Sequence, residues 1–326
     1  MNDKMIKRRT FLKGTGFALL ALGGMPVKQG YAALYSGEEQ FQAPFSSGTE
    51  RARTKMPPNA TDCHHHIYDS SFGLDPNSTL RPADASIADY RLLQRRLGTT
   101  RDVVIQPSTY GVDNHGLIEV LNQMGPATTR GIAVVNTDVT DEELKQLNAA
   151  GVRGIRFNLA IPGGATNMDM VEPLAARVAV FGWHLQINAT EEQILDAVDV
   201  WNRIPCQVVF DHLAHVPEPA GADHPVFGAV VELMKKGKAW VKLSAAYQES
   251  KVGPPTYSDS GAVVRAFVKA APDRLVWGSN WPHPTEKHTK PDDALLLDLL
   301  AEWVPDEVTR NRILVDNPAK LYGFSK

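Results

Sequence analysis

From Ala60 onward the chain alternates between two patterns. Short runs rich in Val, Ile and aromatic residues are ATDCHHHIY (60–68), RDVVIQPS (101–108), RGIAVVN (130–136), GVRGIRFNL (151–159), WHLQINA (183–189), QVVFDHLA (207–214), AWVKLSA (239–245) and RLVWGSN (274–280). Between them lie longer stretches such as IADYRLLQRRLG, VEPLAARVAVFG and SGAVVRAFVKAAP, with apolar residues at three- and four-residue spacing and Gly or Pro near the end. The first pattern predicts buried strands and the second amphipathic helices. Eight such repeats over about 265 residues predict an α/β chain folded as a single (β/α)8 TIM barrel. A doubly wound open sheet fits less well, because no glycine-rich phosphate loop follows the first strand.

A barrel places its chemistry at the C-terminal ends of its strands. There the apolar runs turn polar: His64 and His66, Gln106 and Ser108, Asn136, Arg156 and Asn158, Gln186 and Asn188, Asp211 and His212, Ser244, and Asn280. Strict two-residue alternation on the first strand predicts Asp62, His64 and His66 on one face, with Cys63 and His65 on the other. Buried imidazoles need ligands, substrates or hydrogen-bond partners.

Composition changes little in this picture. The chain has 326 residues, 43% hydrophobic and 22% charged, ordinary for a globular protein. The start is different: a basic head with Arg8 and Arg9, a short apolar run, then small residues at Gly30, Ala32 and Ala33. KRRTFLK resembles a twin-arginine export signal, which implies the twin-arginine export machinery as a partner and a periplasmic location. The apolar run from Gly14 to Met25 is well short of the about 20 residues a membrane span needs. The domain reading is therefore a signal over residues 1–32, an N-terminal arm or linker over 33–58, and the barrel over 59–326.

Without residues 1–32, which hold six basic side chains and one acidic one, the formal charge moves from −3 to −8. No basic run survives, which argues against nucleic acid as a partner. Cys63 and Cys206 are too few for a disulfide framework, and their spacing does not say whether they meet.

Five segments in order, DCHHH, GVRGIRFN, VVFDHLAH, VWGSNWPHP and DNPAKLYGF, resemble the amidohydrolase superfamily. Within it the likeness is to the branch of 2-pyrone-4,6-dicarboxylate lactonases, sulfomuconolactone hydrolases and galactarolactone isomerase. Carried over by position, the family's His-x-His pair falls on His64 and His66, its sixth-strand histidine on His212, its substrate-binding arginine on Arg156, and its eighth-strand aspartate on Asn280. In hydrolytic members that aspartate takes a proton from the attacking water. A carboxylate titrates at about pH 4 and burial raises it, whereas an amide has no comparable basic form, so Asn280 can orient a group but cannot act as the base.

The same departure bears on metal. A zinc site takes roughly four ligands, of which His64, His66 and His212 offer three, Asn280 is a poor fourth, and Arg156 is a fixed cation. The expectation is no cofactor, with mononuclear Zn on those three histidines as the alternative.

Arg156 suits a carboxylate, and Asn158, Gln186, Asn188 and Ser244 suit hydroxyls, so the expected ligand is a small anionic sugar-acid-type lactone. The pyrone dicarboxylate is disfavoured, because no second arginine follows RFN. The expected chemistry is acyl transfer at the ester carbonyl: one neutral histidine takes a proton, and a protonated one stabilises the oxyanion. Loss of the aspartate favours isomerisation, with hydrolysis through Asp211, His215 or His283 as the alternative and an inactive periplasmic sugar-acid-binding protein as a second. The WPHP loop is expected to wall the site, with His283 either contacting substrate or only packing or facing solvent.

Overall fold

The computed structural model describes residues 41–161 and 164–325. The export-signal reading lies outside the described residues. Eight strands form one parallel sheet in sequential order: β1 Thr61–His65, β2 Arg101–Ile105, β3 Thr129–Ala133, β4 Val152–Asn158, β5 His184–Asn188, β6 Val208–Phe210, β7 Ala239–Leu243 and β8 Leu275–Trp277. Seven lie inside a predicted run, and β3 begins one residue before its own. The sheet closes beyond the end of β8, where the Asn280 amide donates to the His64 carbonyl (2.7 Å) and the His66 amide to the Trp281 carbonyl (2.9 Å). A (β/α)8 TIM barrel results.

The helices follow in the same alternation: α1 Ile87–Leu97, α2 His115–Met124, α3 Asp141–Ala150, α4 Val171–Val178, α5 Glu191–Asp196, α6 Val198–Arg203, α7 Pro225–Lys235, α8 Ser258–Ala270, α9 Asp293–Trp303, α10 Glu307–Asn311 and α11 Asn317–Tyr322. Local chemistry fixes several starts. Ser86 with Asp89, Thr140 with Glu143 and Thr190 with Gln193 form reciprocal capping boxes at α1, α3 and α5, satisfying amides that the first turn leaves unpaired. Among the described residues, no helix is long and apolar enough to cross a membrane.

Two apolar clusters divide the interior. The larger lies between strands and helices. The smaller fills the barrel floor with Cys63, Val103, Ile132, Val209, Trp240 and Val276, joined from the C-terminal segment by Tyr322 and Phe324. Arg130 holds that segment in place, donating to the Tyr322 and Gly323 carbonyls. Cys63 and Cys206 are both buried free thiols, one in each cluster.

The first strand departs from strict alternation. The β1–β2 register shifts between Asp62 and His65, so Cys63 packs into the floor while the next residue, His64, also faces inward, beside Lys242 and Asp211. An extra residue in a strand reverses the side-chain face beyond it. Asp62 is consequently not on the histidine face: it accepts from the Tyr90 hydroxyl of α1 (3.1 Å) and from the Ser279 amide (2.9 Å) and hydroxyl (2.6 Å). His65 also faces the helices, stacked on Tyr90 at 3.5 Å.

Residues 41–58, expected as an arm or linker, contain no helix or strand and are held against the barrel. The buried Arg96 guanidinium binds the Glu50 and Ser47 carbonyls and the Ser46 hydroxyl, and pairs with Asp292 at 2.7 Å. Trp281 Nε1 donates to the Pro44 carbonyl (2.7 Å), tying the same segment to the loop after β8.

Candidate active site

Polar side chains from β1, β4, β5 and β7 converge on one buried carboxylate, Asp211, which follows β6. Its Oδ2 accepts from Arg156 Nε (3.0 Å) and Gln186 Nε2 (3.1 Å). Its Oδ1 lies 3.3 Å from His64 Nδ1 and 3.5 Å from Lys242 Nζ. Lys242 also donates to Gln186 Oε1 (2.7 Å) and approaches His64 Nδ1 at 3.3 Å. Burial alone would raise the Asp211 carboxyl, but Lys242, His64 and Arg156 outweigh it and hold the group well below the usual carboxylate range. For Lys242 the balance runs the other way: burial brings it down to about 8, although Asp211 pulls it back up.

The three predicted histidines are together. The His64 ring centroid is 5.1 Å from that of His66 and 4.9 Å from that of His212. His66 Nδ1 faces the Ile105 carbonyl at 2.9 Å. A carbonyl only accepts, so Nδ1 carries the proton and Nε2 keeps its lone pair. Burial, then the Arg156 charge, lowers His66 to about 3. Burial first, then Lys242 for His64, lowers that ring well below 6.5; burial also lowers His212, against the pull of Asp211. All three are neutral near pH 7. Burial thus works against an imidazolium at all three positions, and the cationic side chains beside them are Arg156 and Lys242.

His212 sits on an unusual backbone. His212, Leu213, Ala214 and His215 all have positive φ, at 48, 57, 56 and 47°. A left-handed turn of L-residues without glycine costs roughly 1–2 kcal/mol per residue, and such strain concentrates at functional sites. The turn brings two imidazoles back over the barrel. His212 Nδ1 pairs with the Ser244 hydroxyl (2.9 Å), and His215 bridges Glu249 (2.9 Å) and Asn188 Oδ1 (2.8 Å).

Across the opposite side runs a polar ribbon. Asn188 Nδ2 donates to Asn158 Oδ1 (2.7 Å), and Asn158 Nδ2 donates to the Ser108 hydroxyl (2.8 Å). Arg156 spends only Nε on Asp211 among the described residues, which leaves the Nη end of its fork for an anion.

At β8 the backbone of Gly278 passes against His64: a Cβ there would lie 2.6 Å from His64 Cβ and 2.8 Å from its amide nitrogen. Two residues on, Asn280 (φ 64°) donates through Nδ2 to the Tyr247 hydroxyl at 2.8 Å. That hydroxyl is 2.9 Å from His283 Nδ1, and His283 Nε2 is 3.0 Å from Asp293 Oδ2. Substrate contact was one of the roles open to His283, packing another. It is fully buried, with both ring nitrogens engaged by protein.

Sequence reasoning missed Lys242, Tyr247 and Asp293 as site residues, and weighed Asp211 only as an alternative base. Lys242 left one signal: a lysine in the otherwise apolar run AWVKLSA.

One atom each from His64, Asp211 and His212 lies within 4.8 Å of the others, the spacing of a possible metal site. His66 is not in that set. Lys242 Nζ stands 3.3 Å from His64 Nδ1 and 3.5 Å from Asp211 Oδ1, and Arg156 pairs with the same carboxylate, so a divalent ion there would have two cationic side chains beside it.

A closed barrel with a histidine-rich rim and an anion-matching arginine puts the candidate chemistry at the strand ends, where α/β-barrel enzymes carry their active sites. The family model described as Amidohydrolase matches residues 61–324, and the chain belongs to that family. It is similar to the 2-pyrone-4,6-dicarboxylate hydrolase of Comamonas testosteroni, 34% identical over 82% of this chain and 91% of the relative. It is also similar to the D-galactarolactone isomerase of Agrobacterium fabrum, 31% identical over 83% and 93%. A solved apo structure from Agrobacterium tumefaciens superposes with a TM-score of 0.80 at 29% identity, covering 86% of this chain and 99% of that one.

Proposed function

We propose that the protein acts on lactones and moves the acyl group of an anionic, sugar-acid-type lactone between two oxygens of the same molecule. Relatives named as a hydrolase and a lactone isomerase support an enzyme over an inactive binding protein. The observation that carries isomerisation is Asn280 at the end of β8, hydrogen-bonded to Tyr247. An amide cannot take the proton of an attacking water, but it can orient a hydroxyl already tethered to the substrate.

In this reading the free end of Arg156 binds the substrate carboxylate. His66, neutral with Nε2 unprotonated, is placed to accept a hydrogen bond from a substrate hydroxyl. His64, held against Asp211 and Lys242, and His212, held by Ser244, orient the ester carbonyl. Arg156 and Lys242 offset charge as it develops on oxygen. No step passes through a metal.

The second reading is hydrolysis, favoured by the similarity to the dicarboxylate hydrolase. Turnover in 18O-labelled water separates the two: hydrolysis places solvent oxygen in the product carboxylate, and intramolecular transfer leaves the product unlabelled. Label in every turnover would overturn the isomerase reading. For residues 1–32 the proposal is export by the twin-arginine route, tested by N-terminal sequencing of the protein recovered from the periplasmic fraction.

A further inference from the structure

Four side chains beside the histidine cluster form a directed hydrogen-bond chain, of which the reading above uses only the first bond. It runs from Asn280 Nδ2 to Tyr247 Oη (2.8 Å), from Oη to His283 Nδ1 (2.9 Å), and from His283 Nε2 to Asp293 Oδ2 (3.0 Å). Chemistry fixes its direction. An Asp293 carboxylate only accepts, so Nε2 carries a proton, and in the neutral ring that the relay requires Nδ1 is a lone pair. The Tyr247 hydroxyl must then donate to Nδ1, and Asn280 must present its NH2 to the hydroxyl. That orientation turns the amide oxygen of Asn280 away from Tyr247 as a free acceptor.

The arrangement is built rather than incidental. His283 and Asp293 are fully buried. His283 has φ 53°, a left-handed conformation unfavourable for a residue other than glycine. Both ring bonds, together with the Lys290 ammonium on the His283 carbonyl (2.6 Å), hold it there. Asp293 is the first residue of α9, and its amide donates to Ser46 in the N-terminal segment. Burial pushes the Tyr247 phenol well above its usual range, so the hydroxyl keeps its proton at rest.

We propose that Tyr247, His283 and Asp293 form a proton relay that supplies the basic group missing from the end of β8, with Asn280 holding the substrate hydroxyl against Tyr247. This rests on the lactone-isomerase reading and deepens it. As the substrate hydroxyl oxygen bonds to the ester carbonyl carbon, its proton passes to Tyr247 Oη while the Tyr247 proton passes to His283 Nδ1. The imidazolium formed is paired with Asp293. When the ring C–O bond breaks, the same path runs in reverse and protonates the departing alkoxide, so no proton is gained or lost overall. The logic is that of a nucleophile–histidine–aspartate triad, with a tyrosine hydroxyl as a conduit instead of a nucleophile. Tyr247 is the catalytic residue of the three; His283 and Asp293 act through it.

The test combines kinetics with a readout that needs no substrate. On a lactone that the wild type isomerises, Tyr247→Phe and His283→Asn are each expected to lower kcat by at least about 100-fold, the scale of general acid–base catalysis. KM should stay within a few-fold, and the double variant should be no slower than the slower single one. Asparagine tolerates the left-handed backbone at 283, and the unchanged KM reports an intact fold. Tyr247→Phe retaining most of kcat, or losses that multiply in the double variant, overturns the relay. Independently, 15N NMR of labelled histidine should show His283 as the Nε2–H tautomer, with an Nδ1 shift that moves in Tyr247→Phe; an Nδ1–H tautomer overturns the relay. If no lactone is turned over, the functional reading fails, and the tautomer still decides whether the chain of bonds exists as drawn.

Discussion

Lys242 Nζ lies 3.5 Å from Asp211 Oδ1, and both side chains are completely buried. The ammonium stands beside two of the three candidate metal-ligating residues, His64 and Asp211, where its charge opposes that of an ion. Two results follow for Lys242→Met. Breaking a buried pair costs about 3–5 kcal/mol, at the low end here because Arg156 still faces the carboxylate; urea denaturation measures it. The variant is also expected to bind zinc through His64, Asp211 and His212, whereas the wild type keeps its activity after dialysis against a chelator. Metal analysis of both proteins checks the pair, and a zinc requirement in the wild type would refute it.

Acid sensitivity follows from His66 and His184. Burial brings each down to about 3, against 6.5 in the unfolded chain. Between those values the unfolded chain binds protons that the folded one excludes, so stability is lost as pH falls from about 6.5 towards 3. Each group contributes up to about 1.4 kcal/mol per pH unit in that window. Urea midpoints at pH 7, 5 and 4 should decline, and His184→Gln should make the decline shallower. A midpoint constant down to pH 4 would contradict the assignment.

Gly278→Ala is expected to cost about 1–3 kcal/mol through overpacking and to lower turnover by displacing His64. A control lies in α7: a Cβ on Gly228 meets nothing within 4 Å. Gly228→Ala should stabilise by about 0.5–1 kcal/mol, because alanine loses less backbone freedom in a helix. Thermal melts beside steady-state rates separate the two effects.

Asn280→Asp puts a carboxylate beside Tyr247, where it competes with His283 for the phenol proton. Hydrolysis is expected to rise relative to isomerisation, by about tenfold or more if the new group serves as a base. The ratio of open acid to isomerised lactone, followed by NMR, measures this. An unchanged ratio would mean that Asn280 has no part in choosing the nucleophile.

The barrel was legible because strand identity and polar strand ends are both local features: each of the eight apolar runs holds a strand, and His64, His66 and His212 do meet. What escaped depends on distant partners. The bulge in β1 is a property of its pairing with β2, so alternation along DCHHH misplaced Asp62. The left-handed turn at His212 to His215 contains no glycine or asparagine to announce it. Lys242 is tolerated only because Asp211 and Gln186 arrive from other strands, and His283 meets Tyr247 across 36 positions of sequence. Its role therefore could not be read from WPHP alone.

The floor beneath these groups is finished by Tyr322 and Phe324, some 260 positions after Cys63, which they pack beside. A nascent polypeptide can lay down all eight strands and still expose the apolar underside of the cylinder until those two aromatic rings emerge from the ribosome. Truncation ahead of Tyr322 should therefore damage the catalytic end from below, without removing a single group that faces the lactone.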